Sequence, residues 1–194
     1  MAITFVLHGG ETSIDSSAND EFFRQSTELV EKETVYIVLC YFARPKEQWD
    51  TLIRRDQPKF TKQTNKQISF SVTQSVTDLY TQLERGDVLY VSGGEAELIE
   101  PYLPQFSQLK EKLQGKVYLG SSMGAFIVSA HYVLSLSAQD ENTVRHGLGL
   151  LPICTLCHWN VEKNKQKKID LLKKVDIRLP IVLLDEQKFV TFSY

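Results

Sequence analysis

The residues with the clearest potential for chemistry lie in the pentapeptide Gly120-Ser-Ser-Met-Gly124. This G-x-S-x-G pattern is typical of a nucleophile elbow, a tight turn between a strand and a helix that exposes a serine hydroxyl. Glycine at both flanks removes Cβ atoms that would collide in so sharp a turn. A short apolar run precedes the pentapeptide, and a run of small and apolar residues follows it. We therefore predict a strand, the turn and a buried helix in that order, with Ser122 as the candidate nucleophile.

A serine nucleophile needs a base that takes its proton and a carboxylate that orients the base. The histidines available are His8, His131, His146 and His158. His8 follows the first predicted strand, His131 ends the predicted elbow helix about two turns from Ser122, and His146 lies in a polar stretch. His158 stands in an otherwise apolar segment, where a polar group requires a partner. It is either the base or a hydrogen-bonded core histidine.

The elements that must position these residues follow an alternating pattern. Short apolar runs predict strands over residues 3–7, 35–42, 68–72, 87–91 and 117–119. The intervening stretches predict helices over residues 20–31, from 45 to 53, 76–83, 95–103 and 104–113, with an irregular polar segment over 54–66. Such alternation indicates an α/β fold, in which helices cover both faces of a parallel sheet. The fold class is therefore a three-layer α/β sandwich.

The pattern changes after the elbow. Residues 133–136 favour a strand, residues 138–145 a polar loop and residues 162–174 a basic, solvated helix. Two apolar runs, 181–184 and 189–192, flank four polar residues, which predicts a closing hairpin.

Glycines mark three strand ends, at Gly9-Gly10, at Gly93-Gly94 and at Gly120. In an open parallel sheet, the carboxyl ends of the strands form the edge where ligands bind. Glycine there lets backbone N–H groups approach a ligand, although a plain tight turn is the alternative at each place.

Length and charge exclude several classes of protein. The 194 residues with a formal net charge of −2 predict one domain, 1–194, with no basic face for nucleic acid. No apolar run approaches the ~20 residues of a membrane span. The first residues lack the features of a signal peptide. We therefore expect a cytoplasmic location and no membrane partner; the oligomeric state is left open, with a homodimer as one option.

Cysteine spacing offers a competing interpretation. Cys154-Thr-Leu-Cys157-His158 fits C-x-x-C-H, the attachment signature of c-type haem. Haem attachment requires export, and a zinc site requires two further ligands with suitable spacing. Neither is evident, so we predict free buried cysteines, no cofactor and no metal.

Three stretches together resemble the peptidase E family of serine peptidases, family S51, which includes dipeptidase E and cyanophycinase. They are Val91-Ser-Gly-Gly-Glu-Ala-Glu97, Leu119-Gly-Ser-Ser-Met-Gly-Ala125, and Gly147-Leu-Gly-Leu-Leu-Pro152 followed by Cys157-His158-Trp159. The order and spacing fit along most of the chain. The resemblance implies a fold similar to that of class I glutamine amidotransferases.

The resemblance also implies roles for individual residues. Ser122 resembles the nucleophile and His158 the base. The backbone N–H groups of Gly94 (or Gly93) and Met123 resemble the oxyanion hole. Gly93 and Glu95 are expected to contact the substrate. At the position of Glu95 the family usually has asparagine.

The family's acidic triad member lies in a turn after Leu-Pro and a short strand. Here Leu179-Pro180 leads to Asp185 and Glu186. Counting from Leu179-Pro180 makes Glu186 the match, with Asp185 as the alternative. Choosing Asp185 would shift the closing strand by one residue and turn its apolar set to the wrong face.

The implied function is a serine-type peptidase that acts on small peptides through an acyl-enzyme at Ser122. The best-known members of the family cleave dipeptides with N-terminal aspartate. An acidic P1 side chain would require a cation, for which Arg145 is nearest in sequence. The alternative is a non-catalytic or regulatory domain of the same fold, with Met123 and Glu95 impairing the site. An esterase on the α/β-hydrolase fold is disfavoured, because there the acid precedes the histidine.

Overall fold

The computed structural model of the chain describes residues 1–62, 64–135 and 143–194. The predicted polar loop over 138–145 lies largely outside these residues. Among the described residues, no helix is both long and apolar enough to cross a membrane.

The main sheet contains the strands predicted for the first 121 residues. Its members are β1 (Thr4–His8), β2 (Thr34–Cys40), β3 (Gln67–Val72), β4 (Val88–Val91), β5 (Val117–Ser121) and β10 (Phe189–Ser193). The order across the sheet is β10-β1-β5-β4-β2-β3, and every pairing is parallel except that of β10 with β1. Strands β1, β4 and β5 are almost entirely buried, which explains their uninterrupted apolar sequences. The predicted α/β fold with a parallel sheet is confirmed.

Helices lie between these strands in two packed groups. The α-helices are α1 (Ser17–Glu28), α2 (Trp49–Thr61), α3 (Val76–Leu83), α4 (Ala96–Ile99), α5 (Leu109–Lys112), α6 (Met123–Phe126) and α7 (Lys165–Val175), with 3₁₀ segments at Lys46–Gln48 and Glu100–Gln108. Helix α1 packs on α2, while α3 packs on α5 and on the longer 3₁₀ segment. The predicted helices over 95–113 are thus two short α-helices with a 3₁₀ segment between them, because Pro101 and Pro104 interrupt the α-helical hydrogen bonds there.

Two helix boundaries differ from the prediction. Helix α1 begins three residues earlier than predicted, because the Ser16 hydroxyl caps it by accepting the Asn19 N–H at 3.3 Å. Helix α2 continues to Thr61 through the segment predicted to be irregular. Its buried positions include Asp56, which a reading of apolar periodicity omits because the residue is charged.

A second sheet of four strands was not predicted as such. Its members are β6 (Ser129–Tyr132), β7 (Arg145–His146), β8 (Leu151–Leu156) and β9 (Ile181–Leu183), in the order β7-β6-β8-β9. The elbow helix ends at Phe126 and is followed directly by β6, so the strand predicted over 133–136 lies earlier in the chain. The helix stops because the Leu148 N–H and the Ser129 hydroxyl bind the carbonyls of Ile127 and Phe126, at 2.7 and 2.6 Å. His131 is therefore a strand residue.

The predicted closing hairpin is wrong. Strand β9 pairs with β8 in the second sheet, whereas β10 pairs with β1 in the main sheet. A local pattern of two apolar runs and a polar connection specifies strands but not their partners. As a result, the connection that carries Asp185 and Glu186 crosses from one sheet to the other.

Candidate active site

Ser122 lies at the tip of the predicted elbow, between β5 and α6. Its backbone angles are φ 49° and ψ −106°, a conformation that non-glycine residues seldom adopt. The glycines at either side have no room for a side chain. A Cβ at Gly120 would lie 2.5 Å from the carbonyl oxygen of Gly124, and one at Gly124 would lie 2.2 Å from that of Val91. The sharp turn is therefore possible only with these residue types.

The structure brings the three predicted triad side chains into one hydrogen-bonded series. Ser122 Oγ lies 3.1 Å from His158 Nε2, and His158 Nδ1 lies 2.8 Å from Glu186 Oε1. The side chains of His158 and Glu186 are 13% and 17% exposed, so both remain accessible from solvent. Asp185 instead accepts the Lys188 N–H at 3.2 Å with its backbone carbonyl.

A turn formed by His8, Gly9 and Gly10 connects the segments that carry these side chains. The His8 carbonyl accepts the Ser122 N–H at 2.9 Å, and the Gly9 carbonyl accepts the His158 N–H at 2.9 Å. The Gly10 carbonyl accepts the N–H of Gln187, next to Glu186, at 3.0 Å. We call residues 8–10 the anchoring turn, because its consecutive carbonyls hold the backbone at Ser122, at His158 and next to Glu186.

Unusual backbone conformations are concentrated at this site. Among the described residues, the non-glycine residues with positive φ are Glu11, Ser122, His158 and Gln187, with φ between 49° and 61°. Ser122 and His158 belong to the hydrogen-bonded series, Gln187 follows Glu186, and Glu11 follows the anchoring turn. Such conformations cost about 1–3 kcal/mol each and are retained where the surrounding structure imposes them, typically at functional sites.

A cavity of about 290 Å³ opens in front of Ser122 and His158. Its other lining residues are Gly10, Glu11, Thr12, Ser13, Arg44, Arg55, Ser92, Gly93, Gly94, Glu95 and Ser121. All three glycine-containing strand ends therefore meet at one cavity, as the rule for open parallel sheets predicts.

Two arginines supply the positive charge of this cavity, and the sequence analysis missed both. Arg55 donates to the buried carboxylate of Asp56 at 2.7 Å, and Asp56 also accepts the Tyr41 hydroxyl at 3.2 Å. Arg44 donates to the Gly93 carbonyl at 2.6 Å. Arg145, the cation suggested by sequence, instead binds Glu100 at 2.5 Å and does not line the cavity. The segment 54–66 was predicted to be irregular, and the burial of Asp56 beside Arg55 is visible only in the structure.

The residues expected at the oxyanion and substrate positions differ in exposure. Gly93, Gly94 and Glu95 line the cavity, and the Glu95 side chain is exposed. Met123 is 2% exposed and belongs to the hydrophobic core, so its side chain points away from the cavity. A Cβ at Gly93 would lie 3.0 Å from Ser122 Cβ, which shows how closely this turn approaches the elbow.

His8 also supports the site, a role that the sequence analysis did not predict. Its ring is fully buried, with Nδ1 accepting the Gly10 N–H at 3.1 Å and Nε2 2.9 Å from Asn19 Oδ1. The Asn19 amide nitrogen donates to the carbonyls of Glu11 and Ile14 at 2.9 and 2.7 Å, so its oxygen faces His8. His8 is therefore neutral, with its hydrogen on Nε2. Burial, reinforced by the nearby His158, lowers the pKa of His8 to about 4, although its hydrogen bond with Asn19 acts in the opposite direction.

The cysteines of the C-x-x-C-H pattern lie in different parts of the core. Cys154 packs in a small cluster of the second sheet, whereas Cys157 packs in the main core. Both are free and buried, and burial raises the pKa of each thiol. Cys157 approaches the Ser122 carbonyl oxygen at 3.8 Å and so packs behind the elbow. The prediction that neither cysteine binds haem or zinc stays a prediction.

Fold and site together define a hydrolase-like α/β protein with a serine, a histidine and a carboxylate at the carboxyl edge of its main sheet. The chain belongs to peptidase family S51, whose family model matches residues 5–193. Membership supports a serine peptidase.

Individual relatives agree with this assignment. Uncharacterized peptidases of Listeria innocua and Listeria monocytogenes are 31% and 30% identical over 97 residues, which is 45% of this chain in both cases. The matches span 46% and 47% of those relatives, so about half of their length. A solved structure of a candidate peptidase E from L. monocytogenes EGD-e has a TM-score of 0.64 at 17% identity, with complete coverage of both chains. A peptidase from an acI-B1 actinobacterium has a TM-score of 0.63 at 17% identity, over 99% of this chain and 84% of that one. At such identities the structures support the fold.

The buried, neutral His8 predicts a specific pH dependence of stability. The folded protein protonates His8 only near pH 4, whereas an unfolded chain does so near 6.5. The unfolded state therefore binds more protons over this interval, and the free energy of unfolding falls as the pH falls from 6.5 through 4. The difference amounts to about 3 kcal/mol once His8 is fully protonated.

We expect His8→Asn to reduce this pH dependence by up to one proton, or about 1.4 kcal/mol per pH unit. Asparagine cannot titrate, and its side-chain oxygen is able to accept the Gly10 N–H. Urea unfolding of both proteins between pH 4.5 and 7 measures the two slopes. Equal slopes would contradict this interpretation of His8.

Proposed function

We propose that this protein is a serine-type peptidase that hydrolyses small peptides through an acyl-enzyme at Ser122. The observation that carries the proposal is the hydrogen-bonded series from Ser122 Oγ through His158 to Glu186, at 3.1 and 2.8 Å. Membership of family S51 supports the same class of chemistry.

Each member of the series has a role in the proposed reaction. Ser122 Oγ attacks the carbonyl carbon of the scissile peptide bond as His158 Nε2 takes its proton. Glu186 accepts the Nδ1–H of His158, holds the required tautomer and stabilises the imidazolium. His158 then protonates the leaving amine. A water molecule repeats the attack on the acyl-enzyme and releases Ser122.

The proposed oxyanion hole consists of the N–H groups of Gly94 and Met123. Arg44 binds the Gly93 carbonyl at 2.6 Å. In a planar trans peptide the C=O and the following N–H point in opposite directions, so this bond directs the Gly94 N–H away from Arg44. Met123 is the first residue of α6, where backbone N–H groups have no partner within the helix.

The placement of Met123 and Glu95 favours catalysis over the non-catalytic alternative. The Met123 side chain is packed in the core and occupies no space in the cavity. Glu95 is exposed at the cavity wall, which is compatible with open access to Ser122. The esterase alternative is further weakened by membership of family S51.

The charges of the cavity favour substrates with an acidic side chain. Arg55 is held by the buried Asp56, and Asp56 is held in turn by Tyr41. This support fixes the guanidinium before a ligand arrives, which reduces the entropy lost when a carboxylate binds. We therefore propose Arg55, with Arg44, as the recognition site for a substrate carboxylate.

Labelling by a fluorophosphonate tests the nucleophile. We expect one covalent adduct per chain at Ser122, because the elbow exposes the hydroxyl and His158 can take its proton. Intact-mass and peptide mass spectrometry measure the adduct. Ser122→Ala should give none, with Ser121→Ala as the neighbouring control that retains labelling. A wild-type chain that is folded but not labelled would count against a serine peptidase.

Two adjacent substitutions test the carboxylate. Glu186→Gln should lower kcat on a cleaved dipeptide by about 10⁴-fold, the scale observed when the orienting acid of a serine protease is lost. Asp185→Asn should change kcat little, because only the backbone carbonyl of Asp185 is engaged in the turn. Steady-state kinetics of both variants measures the difference. The reverse result would assign the role to Asp185, and equal small effects would exclude the triad.

The proposed role of Arg55 predicts a change in substrate preference. For Arg55→Met, we expect the ratio of kcat/KM for Asp-Leu to that for Ala-Leu to fall by about tenfold or more, the equivalent of one charge-assisted hydrogen bond. The ratio cancels any loss of folded protein, since both substrates are assayed on the same sample. An unchanged ratio would show that Arg55 does not recognise the acidic side chain.

A further inference from the structure

A second carboxylate approaches the pair formed by His158 and Glu186. Glu11 follows the anchoring turn and lines the cavity, yet the proposed acyl transfer gives it no task. One ligand atom from each of Glu11, His158 and Glu186 lies within 4.8 Å of the other two. No other set of three histidine, cysteine, aspartate or glutamate side chains in the described part of the chain is as close.

Neither carboxylate of this group forms an ion pair with a lysine or arginine of the described residues. Within residues 1–62, 64–135 and 143–194, Glu186 has an ion pair with His158 alone, and Glu11 has none. The cavity's arginines bond elsewhere, Arg44 to the Gly93 carbonyl and Arg55 to Asp56. Two carboxylates this close repel each other, and a divalent cation between them would remove the repulsion.

The ligand set and its dimensions suit Zn²⁺. Zinc binds imidazole nitrogen at about 2.0–2.1 Å and carboxylate oxygen at about 2.0–2.2 Å, in tetrahedral geometry. These bond lengths place neighbouring ligand atoms about 3.4 Å apart, somewhat less than the 4.8 Å limit observed. The Glu11 side chain is exposed, so its rotation can close the difference without movement of the anchoring turn.

Contrary to the expectation from sequence that no metal binds, we propose that Glu11, His158 and Glu186 form a binding site for Zn²⁺, and that zinc bound there inhibits the peptidase. Three protein ligands leave a fourth position for water. Both ring nitrogens of His158 are needed in the proton relay, since Nε2 faces Ser122 and Nδ1 faces Glu186. A zinc ion on either nitrogen therefore interrupts proton transfer. The inhibition rests on the proposed function, whereas the binding does not.

The same ligand set disfavours the hard cations. Mg²⁺ requires nearly ideal octahedral oxygen coordination and Ca²⁺ requires six to eight oxygen ligands. Imidazole nitrogen, in contrast, is a preferred ligand of zinc. Selectivity for Zn²⁺ over Mg²⁺ therefore separates a coordination site from simple attraction of cations to an acidic surface.

Isothermal titration calorimetry with ZnCl₂ tests the binding without any need for turnover. We expect one zinc per chain for the wild type and for Ser122→Ala, which keeps all three ligands. Glu11→Gln, similar in size but neutral, should weaken binding by about tenfold or more, because the loss of even a residue that only orients a ligand has an effect of that size. Titration with MgCl₂ over the same concentrations should give no binding.

Glu95→Gln is the matched control, because it removes a carboxylate from the same cavity wall without removing a proposed ligand. Its zinc affinity should stay within about threefold of the wild type, the scale of a screened charge nearby. Cys154→Ala should likewise keep its zinc affinity, since that thiol is buried in the second sheet. Absence of binding, equal losses in Glu11→Gln and Glu95→Gln, or equally tight Mg²⁺ binding would each overturn the proposal.

A peptidase assay tests the inhibition. Zinc should inhibit the wild type, and the half-inhibitory concentration should rise about tenfold or more for Glu11→Gln, each compared with its own rate in the absence of metal. Zinc binding without loss of rate would overturn the inhibitory part. If no peptide is cleaved at all, the proposed function fails while calorimetry still decides the metal site.

Discussion

The site depends on one structural constraint, the anchoring turn at the carboxyl end of β1. Consecutive carbonyls of His8, Gly9 and Gly10 bind the backbone N–H groups of Ser122, His158 and Gln187. Backbone hydrogen bonds of this kind fix positions more firmly than contacts between flexible side chains, because both partners belong to rigid peptide planes. The last position of the turn also has to be glycine. A Cβ at Gly10 would lie 2.2 Å from Cε1 of His158, so a side chain there would displace the histidine.

The two sheets contribute different parts of the site. Ser122 follows β5 of the main sheet, and His158 follows β8 of the second sheet. Glu186 lies on the connection between β9 and β10, which passes from the second sheet to the main one. The docking of the sheets therefore sets the distances between the three side chains. Positive φ angles at Ser122 and His158 are the local cost of this arrangement, and the surrounding hydrogen bonds compensate for it.

His8 in the anchoring turn and His158 beside it differ in burial, and this difference gives the two histidines different roles. His8 is enclosed, and the Gly10 N–H and Asn19 fix it as a neutral ring with one tautomer. His158 is partly open to the cavity, between a hydroxyl and a carboxylate. A buried neutral imidazole gives structural support, whereas an accessible one with a proton donor and an acceptor can transfer protons.

The sequence by itself determined the elements whose residue types are compatible with only one local structure. The glycines of the elbow required a sharp turn, and uninterrupted apolar runs required buried parallel strands. Other features depended on distant partners. Neither the second sheet nor the crossing connection at Glu186 follows from local pattern, because a strand's sequence does not specify its neighbour. Arg55 reaches the cavity only because Asp56 and Tyr41 meet across the core, and Glu11 approaches His158 and Glu186 only because the anchoring turn folds against them. Tertiary structure decided these features, since each brings together groups that lie far apart in the chain.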